Sequence, residues 1–134
     1  MKKYEILEHK ADLKIRTWGS TKEELFVNAL LAMQDSMKPE LSEGKVKRKM
    51  FIESSDPSTL LVDFLSELLY LIQINKEIYS YVNFRVFSGN KIEAELIGQK
   101  VERFGEDIKA VTYHGLDIYQ KAGGTWEATV LFDI

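Results

Sequence analysis

The spacing of apolar residues along the chain predicts two helices. Between about residues 21 and 37, apolar positions recur at the three- and four-residue intervals of an amphipathic helix. Ser20 and Glu23 match a capping box, so Ser20 is predicted to be the N-cap of this helix. A second helix is predicted to begin at Asp56, which is followed by a proline, and to extend to about Lys76. Its wide apolar stripe is typical of a helix that packs across a sheet.

Alternation of apolar and polar residues predicts six strands with turn residues between them. The predicted strands cover residues 13–18, 46–53, 81–87, 91–101, 108–119 and 125–132. Residues 38–44 are predicted to form a loop. The resulting order, β-α-β-α-β-β-β-β, indicates an α+β fold with a mainly antiparallel sheet covered by two helices. At 134 residues, the chain is expected to form a single domain over residues 1–134.

The stretch 107–114 combines a strand-like pattern with charge. Its residues divide between two faces, with Ile108, Ala110, Thr112 and His114 on one and Asp107, Lys109, Val111 and Tyr113 on the other. A charged residue inside a sheet normally needs a partner. This stretch is therefore the first place to look for function.

Composition and charge exclude several classes of function. The chain is 45% hydrophobic and 29% charged, with a net charge of −3, which argues against broad, phosphate-driven binding to nucleic acid. It has no cysteine, which excludes disulfides, thiolate metal sites and cysteine nucleophiles. It has two histidines, which argues against a histidine-rich zinc site. Acidic residues near the N-terminus interrupt any signal peptide, and the apolar run 60–74 is too short and interrupted for a membrane span. We expect a cytoplasmic protein without a membrane partner.

A basic run at residues 45–49 is a local exception to the acidic balance. We interpret it as a solvated strand edge kept soluble by lysines. Contact with an acidic partner or with RNA is the alternative.

Carboxylates near the two ends of the chain suggest a cation site. If their strands are neighbours, Asp12, Asp133 and a main-chain or terminal carboxylate oxygen form a set of hard oxygen ligands, suited to Mg²⁺, Ca²⁺ or Mn²⁺ and not to zinc. Lys109 would then neutralise surplus carboxylate charge or bind a phosphate.

Each of these residues also has an ordinary structural interpretation. Asp12 is a candidate turn residue that bonds to its own backbone, and Asp133 a candidate solvated chain end. His9 and His114 are candidates for ordinary hydrogen-bonded histidines, and Lys109 for a partner of Asp107 or Glu106. Spacing alone leads no further than an α+β domain with an acidic site.

Five segments together resemble one family. They are His9-Lys10-Ala11-Asp12, Gly19 with Thr21-Lys22-Glu23-Glu24-Leu25-Phe26, the run from Leu60 to Leu69, Ile108-Lys109-Ala110-Val111-Thr112-Tyr113-His114, and Leu131-Phe132-Asp133-Ile134. In this order they resemble the HTAD opening, the helix entry, the LLvdfLnELL helix, the IKAvTYH block and the vFDi ending of the archeases. The resemblance covers essentially the whole chain. Lys10 replaces the usual threonine and adds a positive charge beside the site, and Leu13 also departs from the pattern.

The resemblance implies a function and a set of site residues. Archeases are accessory proteins of the RtcB-type RNA ligase, which joins tRNA halves and other broken RNAs with GTP and Mn²⁺. They promote guanylylation and multiple turnover of the ligase without being enzymes themselves. The resemblance implies a divalent-metal site at Asp12, Asp133 and a terminal oxygen of Ile134, and it matches the family lysine to Lys109. His9, Asp107, Lys109 and His114 are the candidate contacts with the partner or its nucleotide.

The implied partner is therefore the RtcB-type ligase, with GTP used by the ligase and tRNA contacted only indirectly. Two alternatives remain at this stage. One is a chaperone-like modulator of a tRNA-modifying enzyme, such as a tRNA methyltransferase. The other is a metal-dependent hydrolase that uses Asp12 and Asp133 with His9 or His114 as the base. The hydrolase is the weakest, because few groups converge and no hydrolase motif is present.

Overall fold

A computed structural model of the protein describes residues 2–8 and 12–134. Within these residues the chain forms two helices, α1 (Lys22–Ser36) and α2 (Pro57–Asn75), and eight strands. The strands are β1 (Tyr4–Glu8), β2 (Asp12–Gly19), β3 (Pro39–Glu53), β4 (Glu77–Phe87), β5 (Lys91–Phe104), β6 (Ala110–Val111), β7 (Asp117–Gln120) and β8 (Trp126–Asp133). The predicted α+β class, with antiparallel strands and two helices, is confirmed.

The strands are divided between two antiparallel sheets. One sheet has three strands in the order β3-β5-β4. The other has the order β1-β2-β8-β6, and β7 also pairs with β8. Strand β8 is thus a central strand, with β2 on one side and β6 and β7 on the other. Because β2 and β8 come from opposite ends of the sequence, this pairing brings the two ends together.

The helix starts follow from side-chain capping, with one difference from the prediction. The N-cap of α1 is Thr21, not Ser20, because the Thr21 hydroxyl accepts from the Glu24 amide at 3.1 Å. The Glu24 carboxylate accepts from the Ser20 amide at 3.1 Å, so the predicted capping box is displaced by one residue. The Asp56 cap of α2 is confirmed by its bond from the Thr59 amide at 2.8 Å.

Helix α2 forms the centre of the core. By length and composition alone it could cross a membrane, which contradicts the expectation that this segment is too short and interrupted for a span. Its apolar character is explained by packing, because Leu61, Phe64 and Leu65 are fully buried in the fold. The Phe64 ring contacts Phe26 of α1 and Phe84 of β4, with ring centroids 5.5 and 6.1 Å apart.

Before residue 90, the strands differ from the prediction at three places. Residues 38–44 were expected to be a loop, but the segment belongs to β3, which is irregular there because its register with β5 shifts twice between Glu40 and Lys45. Strand β4 begins at Glu77, immediately after the left-handed residue Lys76 that ends α2. Strand β1 was not predicted, because its short sequence carries no clear strand signal. It is extended because it pairs with β2.

The stretch 107–114 is not one strand. Only Ala110–Val111 is extended and paired, and Ile108 and Val111 are both buried, so the predicted alternation of faces is wrong. The reason is a tertiary contact, since the side-chain amide of Gln73 in α2 donates to the Ile108 carbonyl at 2.7 Å. That bond satisfies a backbone group that a continuous strand would have paired with its neighbour.

Candidate cation site

Asp12 and Asp133 lie directly opposite each other. They are the terminal register pair of β2 and β8. Residues opposite each other on antiparallel strands have Cβ atoms about 4.5–5.5 Å apart and share a face. In β2, Leu13 and Ile15 are buried, so Asp12 points to the outer face of the sheet. The sequence hypothesis that these two carboxylates meet is therefore consistent with the strand register.

Two facing carboxylates repel each other unless positive charge lies nearby. Among the side chains of residues 2–7 and 12–134, the ion pairs include neither Asp12 nor Asp133. Within that part of the chain, no group of three or more His, Asp or Glu side chains is arranged to hold a metal. The side chains thus supply two hard oxygen donors, which fit a Ca²⁺, Mg²⁺ or Mn²⁺ ion whose other ligands are main-chain oxygens and water.

The segment that carries Lys109 is fixed beside this pair. The Lys109 amide donates to the Asp133 carbonyl at 2.7 Å, and Ala110 is the register partner of Asp133. The Lys109 side chain is exposed, and in the described part of the chain it forms no ion pair with Asp107 or Glu106. Glu106 instead lies 3.6 Å from Lys38. Lys109 is therefore an exposed cation at the acidic end of the sheet.

Helix α2 holds the segment at two points. Gln73 contacts Asp107 at 3.4 Å as well as the Ile108 carbonyl, and the Tyr113 hydroxyl donates to Asp63 at 2.5 Å. The hydrogen bond with Asp63 raises the pKa of Tyr113, because it stabilises the protonated phenol. Gln73 and Asp63 are positioning residues that the sequence reasoning missed. Their only signal was polarity inside an otherwise apolar helix.

The two histidines are not both placed at the site. His114 is exposed and lies in a turn with Gly115, whose φ is 66°. Thr112, two residues earlier, already bonds to Leu131, so His114 is about 7 Å or more along β8 from Asp133. The structure thus does not bring His114 against the carboxylate pair. His9 lies outside the described residues.

Two depressions border the site. A cleft of about 450 Å³ contains Ile134, Leu13 and Asp107 in its lining, so the chain end lies against the same segment. A shallower depression of about 430 Å³ is lined by Lys76 and Lys109 together with Asp107. Asp107 lines both depressions, so acidic and basic groups lie side by side at this end of the molecule.

Comparison with known proteins places the chain in a family. Residues 4–134 match the sequence model of the Archease protein family. The chain is 40% identical to protein archease of Methanosarcina barkeri, covering 99% of this chain and 97% of that protein. It is 33% identical to protein archease of Thermococcus kodakarensis, with full coverage of both.

Solved structures agree with the fold. The solution structure of Methanobacterium thermoautotrophicum protein 1598 has a TM-score of 0.69 and 27% identity over the whole of both chains. The crystal structure of a Thermotoga maritima archease, described as a possible chaperone, has a TM-score of 0.67 at 23% identity and covers 96% of this chain and 94% of that one. At that identity the second likeness concerns the fold alone. The match to the family model and the identity to relatives over nearly full length show that this chain belongs to the archease family.

Proposed function

We propose that this protein is a non-catalytic activator of an RtcB-type RNA ligase and acts in the cytoplasm. Family membership supports the general role, and one observation carries the proposal for the site. Asp12 and Asp133 face each other at the end of β2 and β8, with no ion pair to either within the described residues. Such a pair attracts a divalent cation, because it concentrates negative charge at an exposed edge.

The site residues have separate roles. Asp12 and Asp133 hold the cation, with a main-chain oxygen of Ile134 as a further ligand. The bound ion supplies positive charge that attracts phosphate oxygens. Strand pairing fixes the spacing of the two carboxylates, so little ordering is needed when the ion binds.

Lys109 supplies a second contact with the partner. Its backbone is fixed by the Asp133 carbonyl, and its side chain lines a depression together with Lys76. Two ammonium groups in one depression suit a phosphate of the ligase-bound GTP or of an RNA end. Asp107, which lines the same depression, and the exposed His114 contact the partner protein, and His9 is the remaining candidate contact.

The acidic end of the sheet suits a basic partner. Ligases that bind RNA and GTP need a positively charged cleft, and complementary charge accelerates docking of an acidic tip. In this proposal GTP is consumed by the ligase, and this chain promotes guanylylation and multiple turnover.

Ligase turnover tests the proposal. The ligase is mixed with GTP, Mn²⁺ and an excess of broken tRNA, with wild type, Asp12→Asn, Asp133→Asn or the control Asp117→Asn. Asp117 is an exposed carboxylate of β7 away from the β2–β8 terminus. We expect many products per ligase with wild type and the control, and about one with either site variant, since the guanylylated state is no longer restored. Equal stimulation by all four proteins would contradict the cation site, and no stimulation by wild type would contradict the activator role.

A chaperone-like modulator is the second candidate, since the Thermotoga maritima relative is described as a possible chaperone. In that role the protein would change the specificity or solubility of a tRNA-modifying enzyme such as a tRNA methyltransferase. Methylation assays with and without the protein distinguish the two. An altered choice of methylated site, together with no effect on ligase turnover, would favour the modulator.

A further inference from the structure

One face of the three-stranded sheet is exposed and rich in aromatic and basic side chains. On its inner face, Met50, Ile92 and Leu96 are buried in the core. On its outer face, Phe51 is 57% exposed, Tyr81 56% and Ile97 37%. We call this surface the outer β3–β5–β4 face. Its residues are Lys45, Lys47, Lys49, Phe51 and Glu53 of β3, Lys91, Glu93, Glu95, Ile97 and Gln99 of β5, and Tyr81, Asn83, Arg85 and Val86 of β4.

The strand register arranges these residues in rows. Lys47, Ile97 and Tyr81 lie opposite one another across the three strands. Two rows further along, Glu93 lies between Phe51 and Val86. Four residues along the strands and two strand spacings across place the Cα atoms of Phe51 and Tyr81 roughly 16 Å apart. A segment of a few nucleotides can span that distance.

The face carries positive charge on a chain whose net charge is −3. Five of the side chains on this face are cationic and three are carboxylates. Glu95 is already engaged, with Lys47 at 3.5 Å and Arg85 at 4.0 Å. The Lys91 ammonium lies 5.3 Å from the Phe51 ring, so a cation and an aromatic surface occur together. Lys45 and Lys49 are exposed, and among the described residues they form no ion pair.

This combination does not suit an apolar protein partner. The exposed aromatic residues are separated by the row containing Lys49 and Glu95, so they form no continuous apolar patch. The cores of stable protein interfaces are depleted in Lys and Glu. Aromatic side chains interspersed with lysines on an open sheet are instead the means by which proteins bind single strands, through base stacking and phosphate contacts.

We propose that the outer β3–β5–β4 face binds single-stranded RNA directly. Bases stack on Phe51 and Tyr81, and phosphates contact Lys45, Lys47 and Lys49. Duplexes are disfavoured because their base faces are covered by neighbouring pairs. The choice of RNA over DNA rests on the proposed function, in which broken RNA is the ligase substrate. The face would help deliver RNA ends, and it is distinct from the Asp12–Asp133 pair.

Fluorescence anisotropy of the protein alone tests this inference. The probe is a labelled 12-nucleotide single-stranded RNA of mixed sequence, titrated at several salt concentrations. We expect the Phe51→Ala/Tyr81→Ala double variant to bind at least about tenfold more weakly, because stacking is lost. We expect Lys45→Gln/Lys49→Gln to lower the salt slope by about 1.4, since two phosphate contacts are removed. Tyr119→Ala, at an exposed tyrosine of the other sheet, serves as the control and should bind as wild type does.

Several outcomes would overturn the inference. Equal binding by wild type and both variants would do so, as would equal affinity for a duplex of the same length. Sedimentation that shows a dimer lost in Phe51→Ala/Tyr81→Ala, without RNA binding, would assign the face to a second copy. The binding assay contains no ligase, so a negative result in it would not contradict the proposed stimulation of the ligase. Conversely, a loss of stimulation in Asp12→Asn would not contradict RNA binding by the outer β3–β5–β4 face.

Discussion

At the scale of single residues, Glu77 is the most deeply buried carboxylate in the described part of the chain, with none of its surface exposed. Arg48 donates to both of its oxygens at 2.7 and 3.0 Å, and the Tyr79 hydroxyl donates at 2.6 Å. Lys100 lies 3.7 Å away. Burial raises the pKa of Glu77, but the hydrogen bonds and positive charges outweigh burial, so its pKa is lowered.

This lowered pKa makes part of the stability depend on pH. The unfolded Glu77 carboxyl titrates near 4.5, so its contribution is complete above that pH and is lost as the pH falls through the lower folded pKa. We expect Glu77→Gln to lower the free energy of unfolding by about 2 kcal/mol at pH 7, because charge-assisted hydrogen bonds are lost. Urea titrations at pH 7 and pH 3 measure this, and the difference from wild type should shrink at pH 3. Glu43→Gln, at an exposed position, is the control. If Glu77→Gln lowered the free energy of unfolding equally at pH 7 and pH 3, the shape of the Glu77 side chain and not its charge would stabilise the fold.

The types and order of residues predicted the carboxylate pair only on the condition that the strands of Asp12 and Asp133 are neighbours, and the strand register meets that condition. Individual contacts were not predicted. The bond between Gln73 and Ile108 joins residues 35 positions apart, and no local pattern encodes it. The same holds for Arg48, whose position in a basic run suggested solvent but whose side chain turns inward to Glu77.

At the scale of elements, the pairing of β4 with β5 depends on a close approach at Gly98. A Cβ at this position would lie 1.7 Å from the Ile78 carbonyl oxygen. The register of the pair shifts between Tyr79 and Tyr81, directly beside it. Only glycine permits the two backbones to come this close.

Gly98→Ala should therefore destabilise the protein far more than an ordinary glycine substitution. We expect a loss of about 3 kcal/mol or more, because backbone must move to accommodate the methyl group. Gly123→Ala, where nothing lies within 4 Å of the added Cβ, should change stability by less than about 0.5 kcal/mol. Thermal and urea unfolding of the two variants provide the comparison. If Gly98→Ala and Gly123→Ala were equally stable, the β4–β5 pair would be able to adapt to the methyl group.

The predictability of an element followed the strength of its local signals. Helix α2 was predictable because Asp56 and the following proline define its start and the apolar stripe its extent. The break between β6 and β7 was not predicted, because strand-forming residues lie on both sides of it and outweighed the turn signal of Gly115, whose φ is 66°.

At the scale of the whole molecule, the carboxylate pair should make stability depend on divalent cations. Like charges opposite each other destabilise a strand pair, and a shared cation reverses this. In EDTA, we expect Asp133→Asn to raise Tm by about 2 °C, because the repulsion is removed. In millimolar Ca²⁺, the Tm of wild type should rise and that of Asp133→Asn should not. Wild type should then have the higher Tm of the two proteins.

Scanning calorimetry in EDTA, Ca²⁺ and Mg²⁺ measures this reversal. Asp117→Asn is again the control and should respond to Ca²⁺ as wild type does. An equal rise in Tm for Asp133→Asn would place the bound cation elsewhere on the molecule.

The central position of β8 has a consequence for synthesis. Strand β8 follows every other described strand in the sequence, yet β2, β6 and β7 all pair with it. On the ribosome, the three-stranded sheet and both helices emerge well before their companion sheet can be completed. The nascent chain must leave one edge of β2 without its native neighbour for most of translation, and such edges promote aggregation. A polypeptide truncated before β8 would lack the Asp133 carboxylate as well, so a chain released too early would be unable to form the carboxylate pair.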